Sequence, residues 1–115
     1  MMDHYHLYEK RREYAARRSE RKARAKAQGT HTDIEWKALV AVCEFACQRC
    51  GERTYLTRDH IVPLYQGGCD CIANIQPLCF RCNAGKGSET IDLRPRHWSE
   101  RVIAMIENLP LWVRR

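Results

Sequence analysis

Four of the seven cysteines stand as two pairs, Cys47 with Cys50 and Cys79 with Cys82, each bracketing two residues and with 28 residues between the pairs. Two such knuckles can place four thiolates tetrahedrally around one Zn(II), whose filled d shell imposes no competing geometry. A completed tetrahedron leaves no position for water, so this zinc would be structural. Cys69 and Cys71 are also able to bind metal. Separated by one residue beside Gly67 and Gly68, they make a poor knuckle, and the two-residue pairs complete a site without them. The first residues, Met1 to His6, offer neither an apolar stretch nor a small-residue cleavage site, which predicts a cytoplasmic protein. In that setting an odd number of cysteines argues against a disulfide framework and for thiols kept free for metal.

Between and beside the knuckles stand Asp59, His60, Asn74 and Asn83, in a frame that reads Asp-His-Ile-Val-Pro, then Gly-Gly, then Asn, then Leu-Cys-x-x-Cys-Asn. Singly, each has an ordinary reading: a surface pair, a turn residue, a helix cap. Together, from about Cys47 to Gly87, they resemble the HNH endonuclease family, whose ββα-metal core is often held by four cysteines. The resemblance rests on order and spacing: 14 positions from His60 to Asn74, nine from Asn74 to Asn83, and a cysteine pair on either side.

That resemblance implies an α+β fold with a ββα-metal nuclease core stapled by the four-cysteine zinc site and flanked by helices. It implies roles residue by residue. Asp59, through its carboxylate, and Asn83, through its side-chain carbonyl, would bind a catalytic divalent cation. His60 would be the general base, since a neutral imidazole near its ordinary pKa can take a proton from water at physiological pH. Alternation along a strand sends Asp59 and His60 to opposite faces, so that they can serve cation and water without competing. Asn74 would brace the loop that carries His60, and Lys86, three positions after Asn83, would contact phosphate. Many members of the family end the motif with His where this chain has Asn83. The resulting all-oxygen ligand set favours Mg(II) or Mn(II) over Zn(II) or Ni(II). The implied partner is double-stranded DNA, in a bacterial or phage setting where phage or restriction-type proteins are candidate partners.

Other elements must position these residues. Residues 80–86 read as a short helix carrying Asn83 and Lys86, and 54–57 with 61–62 as the two strands of a hairpin. Thr32 and Glu35 form a capping box that starts a helix whose buried face carries Trp36, Leu39, Val40 and Cys43, which makes Cys43 core and not a ligand. A last helix over 98–108 sets Val102, Ile103 and Ile106 on one side, with Pro110 beyond its end.

Charge separates an arm from a body. The net charge is +6, and residues 1–28 hold nine of the 20 basic residues but only four of the 14 acidic ones. The arm is rich in Ala, Arg, Lys and Glu, without Pro or Gly before Gly29, and reads as a helix from about Tyr5 to Gln28. Tyr5 and Tyr8 are placed to pack on the body, but after Tyr14 only Ala supplies apolar surface, so the second half cannot bury a stripe. Either this is a solvated helix face with charges paired four apart, Glu13 with Arg17 and Glu20 with Arg24, or Arg17, Arg18, Arg21, Lys22 and Arg24 meet a polyanion, which the charge excess of the arm favours. The longest apolar run, Ala38 to Cys43, is six residues where a spanning helix needs about 20. The expected organisation is a basic arm over 1–28 and a nuclease domain over 29–115, with its core at 47–87 and flanking helices at 32–46 and 96–108. The rival reading is a non-catalytic zinc-stabilised nucleic-acid-binding module or accessory subunit, which would have no reason to place Asp59, His60 and Asn83 together.

Overall fold

A computed structural model describes residues 4–114, with the side chains of residues 4–8, 25 and 26 outside the description. The expected packing of Tyr5 and Tyr8 therefore lies outside the described residues. The basic segment forms helix α1 (His4–Ala27), which is exposed at every described position except the half-buried Arg21. It touches the body at a 3-10 turn, Leu64–Gln66. There Arg24 Nη2 donates to the Leu64 carbonyl at 3.3 Å and the Arg21 guanidinium lies 5.7 Å from the centre of the Tyr65 ring. No described helix is long and apolar enough to cross a membrane.

Gly29, at φ 115, turns the chain out of α1, and Thr32 starts α2 (Asp33–Val42). Both halves of the capping box form: Glu35 N–H donates to Thr32 Oγ1 at 3.1 Å, and Thr32 N–H to Glu35 Oε1 at 2.8 Å. Strand β1 (Leu56–His60) pairs antiparallel with β2 (Ile75–Cys79), in the register Leu56 with Cys79, Arg58 with Pro77 and His60 with Ile75. The hairpin expected between 54–57 and 61–62 does not form. Pro63 brings no N–H and fixes φ at −55, which ends the extended run, whereas the apolar segment Ile75–Cys79 supplies a strand buried at every position. Ile61 N–H still reaches the Asn74 carbonyl at 2.9 Å, so the pairing reaches one residue past the strand before the chain turns away.

A second 3-10 turn, Ile72–Asn74, leads into β2, and helix α3 (Phe80–Lys86) follows directly. Together β1, β2 and α3 make a ββα unit inside a mixed α+β fold. Helices α4 (Trp98–Glu107) and α5 (Leu111–Arg114) complete the chain. On α4, Val102 is buried and Ile106 half-buried, four residues apart on one face, while Ile103 is 56% exposed and not on that side as expected. One residue along a helix is a rotation of about 100°, enough to carry Ile103 off the buried stripe.

Two small cores result. Ala38, Leu39, Val42, Cys43, Ile75 and Val102 form one between α2, β2 and α4, with Trp36, Ile72, Trp98 and Ile106 packed around it. Cys47, Leu78 and Cys79 form the other, with Leu56, Cys82 and Leu93 beside them. Arg94 belts the first. Its guanidinium donates to the carbonyls of Ile72, Ala73 and Ile75 at 2.9–3.2 Å, is braced by Asp92, and lies 3.8 Å from the centre of the Trp98 ring.

Candidate active site and cysteine cluster

The chain leaves α2 through Glu44 and Phe45, both at positive φ (59 and 57), and enters a tight loop in which Gly51 N–H returns to the Cys47 carbonyl at 2.8 Å. Gln48 N–H ties that loop to the Pro77 carbonyl of β2 at 3.1 Å. Cys79 closes β2 and caps α3, accepting at Sγ from Cys82 N–H at 3.4 Å. These elements bring the sulfurs of Cys47, Cys50, Cys79 and Cys82 within 4.8 Å of one another. Cys50 Sγ and Cys79 Sγ are 3.9 Å apart, close to the edge of about 3.8 Å that a tetrahedron of 2.3 Å Zn–S bonds requires.

The donor chemistry agrees with the geometry. Burial opposes ionisation of Cys47, yet backbone hydrogen bonds at Cys50, Cys79 and Arg49 outweigh it and bring the thiol down to about 6. Its neighbour behaves oppositely: hydrogen bonding with Cys79, then burial and the nearby sulfurs, push Cys82 up to about 12. Four thiols this close cannot all ionise unless a cation balances them, and Zn(II) is the ion whose ligand preferences the set meets. Cys43 is excluded, as expected: it lies in the apolar core, and burial pushes its thiol up to about 11.

Cys69 and Cys71 do not join the cluster. They pair with each other in a disulfide, with their Cα atoms 5.3 Å apart, so the expectation that every thiol stays free is corrected at this loop. Across a single intervening residue the backbone already holds the two side chains at bridging distance.

The pleat of β1 separates two polar groups. Thr57 and Asp59 face α3. Asn83 Nδ2 donates to Thr57 Oγ1 at 2.8 Å, and one turn later the Lys86 ammonium lies 3.1 Å from Asp59 Oδ2 and 3.3 Å from the His60 carbonyl. Asp59 and Asn83 thus occupy neighbouring rungs between the same strand and helix. Gln76, fully buried on β2, completes the Asp59 rung: its Nε2 donates to Asp59 Oδ2 at 2.8 Å and to the Ile91 carbonyl at 2.9 Å, while its Oε1 accepts from Leu93 N–H at 2.8 Å. Lys86 is only 4% exposed, and its charge is turned onto Asp59. The expected phosphate contact at Lys86 is therefore corrected: a buried carboxylate needs a counter-charge, and the nearest amine on α3 supplies it.

His60 points to the other side, where its Nε2 meets Asp70 Oδ1 at 2.8 Å. Thr30 Oγ1 donates to the second oxygen, Asp70 Oδ2, at 2.6 Å, and His31 approaches the Asp70 carbonyl through its backbone N–H and through Nδ1, both at 2.8 Å. Burial raises the Asp70 carboxyl, but hydrogen bonds from Thr30 and His60 and the charges of His31 and His60 outweigh it and hold the group below the usual carboxylate range.

Asn74 connects the two sides. It is buried, and its amide both accepts from Val62 N–H (2.8 Å) and donates to the carbonyls of Val62 (2.9 Å) and Cys69 (2.8 Å). Both amide hydrogens are committed to the backbone on either side of the Gly-rich loop, which leaves none for a substrate. Gly68 makes this possible, because a Cβ there would collide with the Val62 carbonyl oxygen and crowd Asn74 Nδ2. Of the basic arm residues, Arg17, Arg18, Lys22 and Arg24 are exposed and Arg21 is half-buried.

Sequence reasoning passes over Asp70, Gln76 and Arg94. Gln76 leaves a signal, a single amide in an otherwise apolar strand, which marks a buried polar clamp. Asp70 leaves none, because the residues it joins lie 10 and about 40 positions away in the chain.

No curated protein and no solved structure matches the chain. Residues 47–89 match the family model of the HNH endonucleases. That segment begins at the first thiol of the cluster and holds the whole ββα unit with Asp59, His60, Asp70, Asn74 and Asn83, so the similarity to the HNH endonucleases falls on the part of the chain that carries the candidate site.

Proposed function

We propose that this protein is a metal-dependent endonuclease that hydrolyses phosphodiester bonds in double-stranded DNA. The observation that carries the reading is the division of labour on β1: a half-buried His60 whose Nε2 is held by a carboxylate, beside a buried Asp59 that shares its helix-facing side with Asn83. Asn83 donates through Nδ2 and keeps Oδ1 as a hard oxygen donor. With Asp59 this makes an all-oxygen set suited to Mg(II) or Mn(II), which would share the Asp59 carboxylate with the Lys86 ammonium. A cation held there supplies charge stabilisation at the phosphate and the leaving oxygen. His60 takes the proton of the attacking water, and Asn74 keeps the loop carrying that water-activating group in place. Structural zinc at Cys47, Cys50, Cys79 and Cys82 holds the strands and α3 in register. Arg17, Arg18, Arg21, Lys22 and Arg24 on α1 add sequence-independent affinity through phosphate contacts.

Incubation of supercoiled plasmid with the zinc-loaded protein and Mg(II) or Mn(II) tests the reading, with nicked and linear products followed over time. His60→Ala is expected to slow cleavage by about two to four orders of magnitude with DNA affinity nearly intact. Asp59→Ala and Asn83→Ala are expected to regain part of their activity as the divalent cation is raised, which His60→Ala does not. A His60→Ala protein that cuts as fast as the parent would hand the assignment to the non-catalytic nucleic-acid-binding module.

A further inference from the structure

We propose that Asp70 is the positioning residue for His60: its carboxylate takes the Nε2 hydrogen and thereby presents Nδ1 as the nitrogen that accepts the proton. The inference rests on the hydrolytic role proposed for His60. An ionised carboxylate only accepts hydrogen bonds, so the 2.8 Å contact places the hydrogen of a neutral His60 on Nε2 and the lone pair on Nδ1. The same logic applies to His31, whose Nδ1 meets a carbonyl oxygen and must donate. Both rings therefore turn hydrogens toward Asp70, which is the pattern of donors around an anion and not of lone pairs around a metal.

Asp70 is itself held from several directions. Thr30 Oγ1 fixes Oδ2 at 2.6 Å, His31 fixes the carbonyl twice, and Cys69 and Cys71 bracket the residue in their short ring. Asn74 ties Val62, two residues beyond His60, to Cys69, one residue before Asp70, so the imidazole and its acceptor are carried on one braced loop. A ring so held cannot rotate to exchange its nitrogens without breaking the contact. During hydrolysis the water oxygen bonds to phosphorus, the bond to the leaving sugar oxygen breaks, and the water proton passes to Nδ1. The imidazolium that forms stays paired with Asp70, which keeps its charge and takes no proton.

The experiment uses the zinc-loaded full chain labelled with 15N histidine. In the parent, the long-range 15N–1H correlation of neutral His60 is expected to show hydrogen on Nε2. In Asp70→Ala the two tautomers are expected to mix, and kcat for plasmid nicking to fall by about 10²-fold with KM for DNA little changed. Asp70→Glu should recover part of kcat. Asp70→Asn keeps the shape of the side chain without its charge, and zinc content and thermal melts confirm that the variants fold. An unchanged His60 tautomer in Asp70→Ala and Asp70→Asn, or an unchanged kcat, overturns the proposal. A parent that cuts no DNA yet shows the Asp70-dependent tautomer overturns the hydrolytic reading and the base role of Nδ1 with it, separately from the hold of Asp70 on the ring.

Discussion

The two ends of strand β2 are buried against different materials. At the Ile75 end the neighbours are Leu39, Val42 and Val102 of two helices, an apolar cluster that hydrophobic burial alone can hold. At the Leu78–Cys79 end the neighbours are mostly sulfur, with Leu56 and Leu93 the main hydrocarbon. Burial there is small, and the loop that forms one side of it, 47–51, has little regular structure. One end is thus a core in the ordinary sense, whereas the other is expected to become one when its four thiols share a cation. The polar residues proposed for chemistry lie along the seam, on the strand opposite and in the loop between.

The comparison breaks most visibly if zinc is removed. Chelation, or Cys79→Ser with Cys82→Ser, is expected to unfold the thiol end, since structural zinc supplies on the order of 10 kcal/mol of apparent binding free energy that is also folding free energy. Metal analysis and thermal melts measure this. If those variants kept full zinc and a cooperative melt while Cys69→Ser with Cys71→Ser lost both, the ligand assignment would be wrong.

At the seam, Lys86→Met keeps most of the apolar stem of the side chain but strips Asp59 of its buried counter-charge. The expected cost is about 3–5 kcal/mol in the absence of divalent cation. Mn(II) should then raise the melting temperature more in the variant than in the parent, and an equal rise in both would show that Lys86 and the cation do not share Asp59.

The apolar end should respond in the opposite way to the thiol end. Leu39→Ala, at a position with no exposure, is expected to cost about 2–5 kcal/mol while leaving zinc stoichiometry at one per chain. Loss of zinc in that variant would mean that the two ends fold as one unit.

The smallest effect is expected from α1, which belongs to neither end. A chain starting at Gly29 should keep its zinc and its melt, and its log affinity for DNA should fall less steeply with log salt, by about one unit for each phosphate contact removed. An unchanged slope would return Arg17, Arg18, Lys22 and Arg24 to the status of a solvated helix face.

Much of the fold and of the candidate site is legible in the sequence, for local reasons. The capping box at Thr32 and Glu35, the helix bearing Asn83 and the two-residue cysteine spacing each depend on neighbours within one turn of chain, where residue type and spacing suffice. The partner of β1 is not legible in this way. Ile61 and Val62 have strand-like side chains, but Pro63 ends the extension, and the true partner follows a loop of 14 residues. For Lys86, helical spacing gives the face of α3 it occupies but not whether that face meets solvent or a buried carboxylate.

The amino-acid sequence by itself determined helices α1 to α4, the thiol pairs and the frame of Asp59, His60, Asn74 and Asn83, because caps, knuckles and motif spacings are short-range properties of the chain. Only the tertiary structure decided what each of those side chains faces. Asp59 meets Lys86 and Gln76 across a sheet and a helix, and His60 meets an aspartate anchored by residues about 40 positions away. Such pairings arise when desolvated polar groups must find partners among whatever the packed elements bring near, and that choice is made by the whole fold.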